Sequence, residues 1–384
     1  MSGTDADDGG DSDGNGTLLD RFSSLGLRTG IGLAVLAMFA LVVVAGQLLP
    51  DTPLGRFVDV LFANTTMSSA LRLSVPIAFA ALGGIFAEKS GVINIGLEGL
   101  LIIAAFAGVY VTDITGSVWF GLGGGIVASA LLALLFAVVC IEFRADQIIA
   151  GLAVWLIALG LAPFLSQVVY GSTNTDGVAT FRTVPAMLAE SGVPVLSTVV
   201  VDWMARAAGL PTVGALFNAT PVVYLMFVAV AVCWWVLNRT AFGRHVRASG
   251  ENPKALDTAG VNVSLVRYKA AILSGVLAGI GGAALALSLG QFTGNGPTMV
   301  NGKGFIAIVA YLFGNYNPIG ALLSTLLFAG LDALQLTLQA RDIFAVPAAL
   351  VRTVPYITVI VVLALFGRTR IPEAAGDHYE SGEE

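Results

Sequence analysis

Charge is scarce in this sequence. Only 11% of its 384 residues are Asp, Glu, Lys or Arg, while 56% are hydrophobic and the mean hydropathy is +0.86. Soluble domains carry about 25% charged residues, so a soluble enzyme core does not account for this balance. Cysteine is nearly absent: Cys140 and Cys233 both fall in apolar runs, too few for a disulfide framework or a tetrahedral metal site. The two histidines, His245 and His378, stand in polar segments without H-E-x-x-H spacing. No clustered His, Cys or paired carboxylates occur, so no catalytic residue, metal or cofactor is expected. A Walker A loop is missing too. Lys303 is preceded by Gly302 but followed by Gly304, and Pro297 stands where that motif needs its first glycine. The G-x-G spacings at Gly123 and Gly125 and at Gly279 and Gly281 lie inside apolar helices and read as packing features. The N-terminus has no basic start and no short apolar stretch before a cleavage site, so the first apolar run is expected to be retained as an anchor.

What is there is a succession of apolar runs. A bilayer core about 30 Å thick needs about 20 apolar residues per helix. Such runs cover residues 29–49, 67–87, 93–111, 116–140, 147–168, 220–237, 268–289, 318–336 and 344–366, with a shorter one at 304–313. The expected fold is an all-α polytopic membrane protein with about ten transmembrane helices. The 46 glycines suit closely packed spans, and Gly275 and Gly279 stand in G-x-x-x-G spacing. Residues 29–366 form the membrane domain. Before it, residues 1–28 are expected to form a disordered acidic tail, with Asp5, Asp7, Asp8, Asp11 and Asp13 and almost nothing apolar before Leu18. A second acidic tail, residues 367–384, follows it.

Lys and Arg collect in cytoplasmic loops. The densest cluster, Arg239, Arg244, Arg247, Lys254 and Arg267, with Lys269 just beyond, marks residues 238–267 as cytoplasmic. Parity then puts both termini inside and the long segment 170–219 outside, where it is large enough to receive a partner. Arg21, Arg28, Arg368 and Arg370 agree with that orientation; Arg56 and Arg341 oppose it. The chain is therefore placed in the cytoplasmic membrane, in contact with lipid, and no nucleic-acid partner is expected.

An internal repeat is suggested by Leu97-Glu98-Gly99-Leu100-Leu101-Ile102-Ile103-Ala104 laid against Gly302-Lys303-Gly304-Phe305-Ile306-Ala307-Ile308-Val309. Each copy follows a Gly-rich apolar run and a polar break. Five spans apart, an odd number, the copies would lie in opposite orientations, giving two inverted five-helix halves. Chance likeness between two apolar helices that begin after a small residue is the alternative.

Three features could carry function. Asn94 and Glu98 are four residues apart and would share a helical face; a carboxylate in a membrane segment points to the solute path or an ion pair, or else to an interfacial carboxylate beside helix-end amides. Next, the stretch 290–304, with Gln291, Thr293, Asn295, Thr298, Asn301 and Lys303, is too polar to face lipid. It either lines a cavity, where Asn301 and Lys303 could hydrogen-bond a solute, or forms an external loop. Finally, Asn252 can cap a helix, Pro253 suits its first position and Gly260 suits the left-handed residue that ends it. A helix of about two turns is not stable alone, so either a partner's groove or its own neighbours must hold it.

At these residues the chain resembles a known family. Glu88-Lys89-Ser90-Gly91-Val92-Ile93-Asn94-Ile95-Gly96-Leu97-Glu98-Gly99 resembles the signature of permeases in the branched-chain amino acid, ribose and nucleoside group of ABC importers. Gly243, Arg247-Ala248, Gly250-Glu251-Asn252-Pro253 and Ala259-Gly260 resemble that group's cytoplasmic coupling segment. Gly302-Lys303-Gly304-Phe305-Ile306-Ala307 with Asn317-Pro318-Ile319-Gly320 resembles its late membrane motif, and Asp332-Ala333-Leu334-Gln335 looks most like the nucleoside and simple-sugar permeases. The likeness covers residues 67–366. It implies a transport subunit without enzymatic activity of its own, two cytoplasmic ATPase subunits, a second related permease and an extracytoplasmic solute-binding lipoprotein. Arg247, Gly250, Asn252, Pro253, Ala255 and Gly260 would then serve ATPase coupling. The rival reading is an ion-coupled secondary transporter of a small polar solute, which would need no coupling helix.

Overall fold

The structure is a computed structural model and describes residues 27–190, 193, 195–341 and 370–379. The chain divides into two compact units, Met1–Val58 and Asp59–Glu384. The first holds α1 (Leu27–Leu48) and the start of α2 (Pro53–Phe62), which runs across the boundary; the chain bends by 109° between the two helices. The bend follows from its sequence. Pro50 cannot continue α1, and Thr52 restarts the chain, its hydroxyl accepting the Gly55 amide at 3.2 Å just ahead of Pro53.

The second unit carries α3 (Asn64–Lys89), α4 (Leu97–Thr115), α5 (Val118–Ala137, prolonged by a π turn Val138–Glu142) and α6 (Gln147–Tyr170). Three short helices follow, α7 (Val184–Ala189), α8 (Val201–Ala208) and α9 (Gly214–Phe217). Then come α10 (Pro221–Arg239), α11 (Ala241–Glu251), α12 (Pro253–Thr258), α13 (Val263–Leu289), α14 (Lys303–Phe313) and α15 (Pro318–Ala340). Side chains that compete with the backbone start many of them. Asp146 accepts the Ile148 and Ile149 amides, each at 2.9 Å, Asn262 the Leu265 amide at 2.8 Å, and Asn317 the Ile319 amide at 2.9 Å.

Among the described residues seven helices are long and apolar enough to cross a membrane, or eight if α1 and α2 form one bent span. The tenth expected run, 344–366, lies outside the described residues. The run at 304–313 is not a full span: α14 has 11 residues, about 16 Å at 1.5 Å per residue, or half of a bilayer core. The third run also begins later than expected. Residues 91–96 are not helical, and Gly91 adopts a φ of +94° that favours glycine.

α3, α4 and α13 form the buried centre, whereas α5, α6 and α10 turn apolar side chains outward. α13 packs on α3, α4 and α5, and α3 packs on α13, α14 and α15. Small residues permit this approach. A Cβ on Gly279 would lie 2.7 Å from the Ile126 Cα, and the Ser129 hydroxyl donates to the Gly275 carbonyl at 2.7 Å, so the G-x-x-x-G face meets α5.

Residues 172–181 run alongside 287–294. The Thr175 amide donates to the Phe292 carbonyl at 3.0 Å, Val178 to Gly290 at 2.7 Å, and Gly294 to Thr173 at 3.1 Å. The polar stretch 290–304 is therefore folded onto protein: Phe292, Thr298 and Val300 are buried while Asn295, Gly296 and Pro297 are exposed.

Candidate functional site

The centre of the molecule is a meeting of two helix starts. Glu98 stands in the first turn of α4 and is 2% exposed. One carboxylate oxygen accepts the Gly302 amide at 2.7 Å and the other accepts the Gly304 amide at 2.6 Å. Those amides open α14, so one negative charge sits at the positive ends of two helix dipoles. Gly304 makes the approach possible, since a Cβ there would lie 2.5 Å from the Glu98 Cα. Phe305, one residue on, packs edge-to-face on Trp155 of α6 at 5.3 Å.

The far end of α14 meets a second buried carboxylate. Tyr311 and Tyr316 donate their hydroxyls to the two oxygens of Glu88, near the end of α3. Eight residues separate Lys303 from Tyr311, about 12 Å along a helix axis. Glu98 and Glu88 thus meet opposite ends of α14, and residues 91–96 connect them outside any helix. Ser90, Gly91, Val92, Asn94 and Gly96 are buried as they do so, which is how non-helical backbone is tolerated at depth.

Asn94 does not share a helical face with Glu98, because it precedes α4. Its Oδ1 accepts the Gly96 amide at 3.1 Å, and its Nδ2 donates to Ser274 Oγ on α13 at 3.1 Å. The sequence spacing of four had assumed a helix that the turn at Gly96 postpones. Lys303 is buried near Glu98, and its ammonium donates to the Val300 carbonyl at 3.2 Å. Asn301 is exposed at the rim, with a φ of +47°. Among the described residues no group of three or more His, Cys, Asp or Glu could hold a metal.

The basic segment folds as its punctuation predicts. Asn252 Oδ1 accepts the Ala255 amide at 3.0 Å, Pro253 opens α12, and Gly260 adopts a φ of +79°. Leu256 is buried, packing α12 on its own neighbours, while Asn252, Lys254, Ala255 and Thr258 form an exposed face. Gly250 presses on the end of α3: a Cβ there would strike the Lys89 carbonyl and lie 3.2 Å from the Gly91 nitrogen. Ser249 Oγ donates to the Ser90 carbonyl at 2.8 Å across the same contact. Arg247 lies half-buried beside Lys89.

Two arrangements escaped the sequence reading. One is the Glu88, Tyr311 and Tyr316 cluster, in which Glu88 stands more than 220 residues from the two tyrosines. The other is the segment 370–379. Ala374 donates its amide to the Gly250 carbonyl at 2.8 Å and Gly376 to the Gly91 carbonyl at 3.0 Å. Arg267 Nη1 donates to the Asp377 carbonyl at 2.7 Å, and Tyr379 donates its hydroxyl to Asp257 of α12 at 2.9 Å. Arg267 stands in the basic segment directly ahead of the run 268–289, and nothing local in the sequence signals its distant partner.

A family model described as the permease component of the branched-chain amino acid transport system matches residues 66–363. The chain is 35% identical to a nucleoside ABC transporter permease protein of Lactococcus lactis over 82% of its own length and 96% of that relative. It is 35% identical to a guanosine ABC transporter permease protein of Bacillus subtilis over the same shares. It is 26% identical to a glucose ABC transporter permease protein of Haloferax volcanii over 88% of this chain and 87% of the relative. No solved structure matches the chain significantly.

Proposed function

Because this chain belongs to the family of branched-chain amino acid transport system permease components, we propose that it is the permease subunit of an ABC importer for a nucleoside or a simple sugar. The names of its relatives supply that solute class. In this reading ATP is hydrolysed by two separate cytoplasmic ATPase subunits, a second related permease completes the pore, and an extracytoplasmic lipoprotein delivers solute to the side of residues 170–219. Both termini and residues 238–267 then face the cytoplasm.

The observation that carries the mechanism is the contact of Gly250 with the backbone at Lys89 and Gly91. It joins the segment that presents α12 to the unwound stretch 90–96, which leads directly to Glu98. Closure of an ATPase pair against the exposed face of α12 would push through Gly250 on that stretch. The Glu98 junction would act as the pivot, with Asn94 and Lys303 in its walls and Asn301 at the rim toward the solute. Two inverted halves would suit a pivot there, and the packing partners support that reading. α3, α4 and α5 stand to α13 as α13, α14 and α15 stand to α3, and each half has a broken connection before its second helix.

The test is reconstitution with the ATPase subunits, a second permease and binding protein in liposomes, following uptake of labelled guanosine or glucose. ATP-dependent uptake is expected. Uptake that persists without ATP and collapses with an ion gradient would overturn the assignment in favour of a secondary transporter.

A further inference from the structure

Beside α11 and apart from the Glu98 junction there is a small polar cleft of about 140 Å³. Lys89, Asn238, Arg247, Asn315, Tyr316 and Asn317 line it. Its chemistry is that of a donor set. The Lys89 ammonium stands over the Tyr316 ring, 5.7 Å from the centroid, and the Arg247 guanidinium is close enough to oppose it electrostatically. Asn315 accepts the Arg370 amide and Asn317 the Ile319 amide through their side-chain oxygens, which leaves the NH2 group of each to donate. Two carboxylates are near. Glu88 has both oxygens occupied by the Tyr311 and Tyr316 hydroxyls, and Glu251, exposed on α11, attracts Lys89 from outside the cleft lining. Two half-buried cations of like sign beside two free amide donors make a place for an anion.

Size and level narrow the anion. Pockets for whole small molecules start at about 300 Å³, so a nucleoside does not fit, whereas one phosphate group does. Asn238 lies in the last turn of α10, its Nδ2 bonded to the Trp234 carbonyl at 2.8 Å, and Trp235 is exposed beside it. Tryptophan at the end of a span marks the headgroup level of a bilayer, and Arg239 and Arg370 add exposed charge at that level. Basic pockets between spans suit anionic headgroups there. We propose that the cleft between the ends of α3 and α10, the start of α15 and α11 binds the phosphate of an anionic phospholipid headgroup. A lipid seated there would bridge Lys89, beside the Gly250 contact, to Arg247 of the basic segment. The geometry stands apart from the transport assignment, which decides only the leaflet.

The experiment is lipid retention by the assembled complex, purified in detergent and read by native mass spectrometry and thermal unfolding, with phosphatidylglycerol, phosphatidylcholine or inorganic phosphate added separately. The variant is Lys89→Gln with Arg247→Gln, and the control is Arg206→Gln in the exposed part of α8. Wild type and control are expected to retain phosphatidylglycerol selectively and to unfold later with it. The double variant should lose about tenfold in retention, as expected on removing charge-assisted contacts. If it fails to assemble, single Arg247→Gln and competition of phosphate against lipid on wild type give the same reading. Equal retention of both lipids, or unchanged retention in an assembled double variant, would overturn the proposal. A thermal shift from inorganic phosphate without lipid selectivity would overturn the lipid as its source.

Discussion

Glu98 and Gly304 meet twice, through a carboxylate–amide hydrogen bond of 2.6 Å and through a backbone approach that leaves no room for a Cβ. Helix starts carry partial positive charge and unpaired amides, so bringing two of them together without an intervening anion would be unfavourable. The carboxylate removes both difficulties at once, and the glycine lets it reach.

Replacing Glu98 therefore acts on the fold before it acts on any solute. Glu98→Gln keeps an acceptor oxygen but removes the charge, and is expected to cost about 1 to 2 kcal/mol. Glu98→Ala leaves the buried Gly304 amide and its neighbour at Gly302 without their acceptor, about 1 to 3 kcal/mol for each unpaired group. Thermal unfolding of the purified protein should rank wild type above Gln and Gln above Ala. Equal melting temperatures would mean that the junction contributes nothing.

A second expectation concerns Glu88. Its two oxygens take the hydroxyls of Tyr311 and Tyr316, so Tyr311→Phe or Tyr316→Phe leaves a buried carboxylate short of one donor. Each should lower stability by about 1 to 3 kcal/mol. The double variant should depart from additivity because both act on one group. Stability equal to wild type in Tyr311→Phe would show that Glu88 finds another donor.

How far the sequence reaches is clear from these residues. The cap at Asn252, the turn at Gly260 and the small-residue face at Gly275 and Gly279 depend on neighbours within a few positions, and all were legible. The start of α4 was misplaced because apolar periodicity runs straight through Ile93 and Ile95, whereas the backbone bends at Gly91 to climb through protein. Glu98 was singled out, but its partners Gly302 and Gly304 lie more than 200 residues away. The shortness of α14 is legible too, but its contact with Glu88 is made through Tyr311, which is indistinguishable in sequence from a packing aromatic.

The segment 370–379 touches Gly91, Gly250, Asp257 and Arg267 together, so it straps α12 and α13 to the unwound stretch. Ending the chain after residue 369 should leave membrane insertion intact while lowering the melting temperature and the ATP-coupled uptake. Arg267→Met should reproduce part of the loss, because Arg267 Nη1 holds the Asp377 carbonyl. Insertion and uptake measured on the same preparation separate a strap from a folding requirement. Unchanged uptake after truncation would show that coupling does not pass through it.

The coupling role of α12 is open to a paired test because its two requirements sit on different residues. Asn252 makes the helix, its Oδ1 holding the Ala255 amide at 3.0 Å, and loss of such a cap costs about 1 kcal/mol. A six-residue helix has little cooperativity to absorb that. Asn252→Ala should therefore weaken ATP-coupled uptake, and Asn252→Asp, which still caps, should restore it. Ala255 instead lies on the exposed face, so Ala255→Arg leaves the helix intact and changes only what a partner meets. It should uncouple ATP hydrolysis from uptake without lowering the melting temperature. Uptake undiminished in Ala255→Arg, in a complex that still holds its ATPase subunits, would place the drive on another surface.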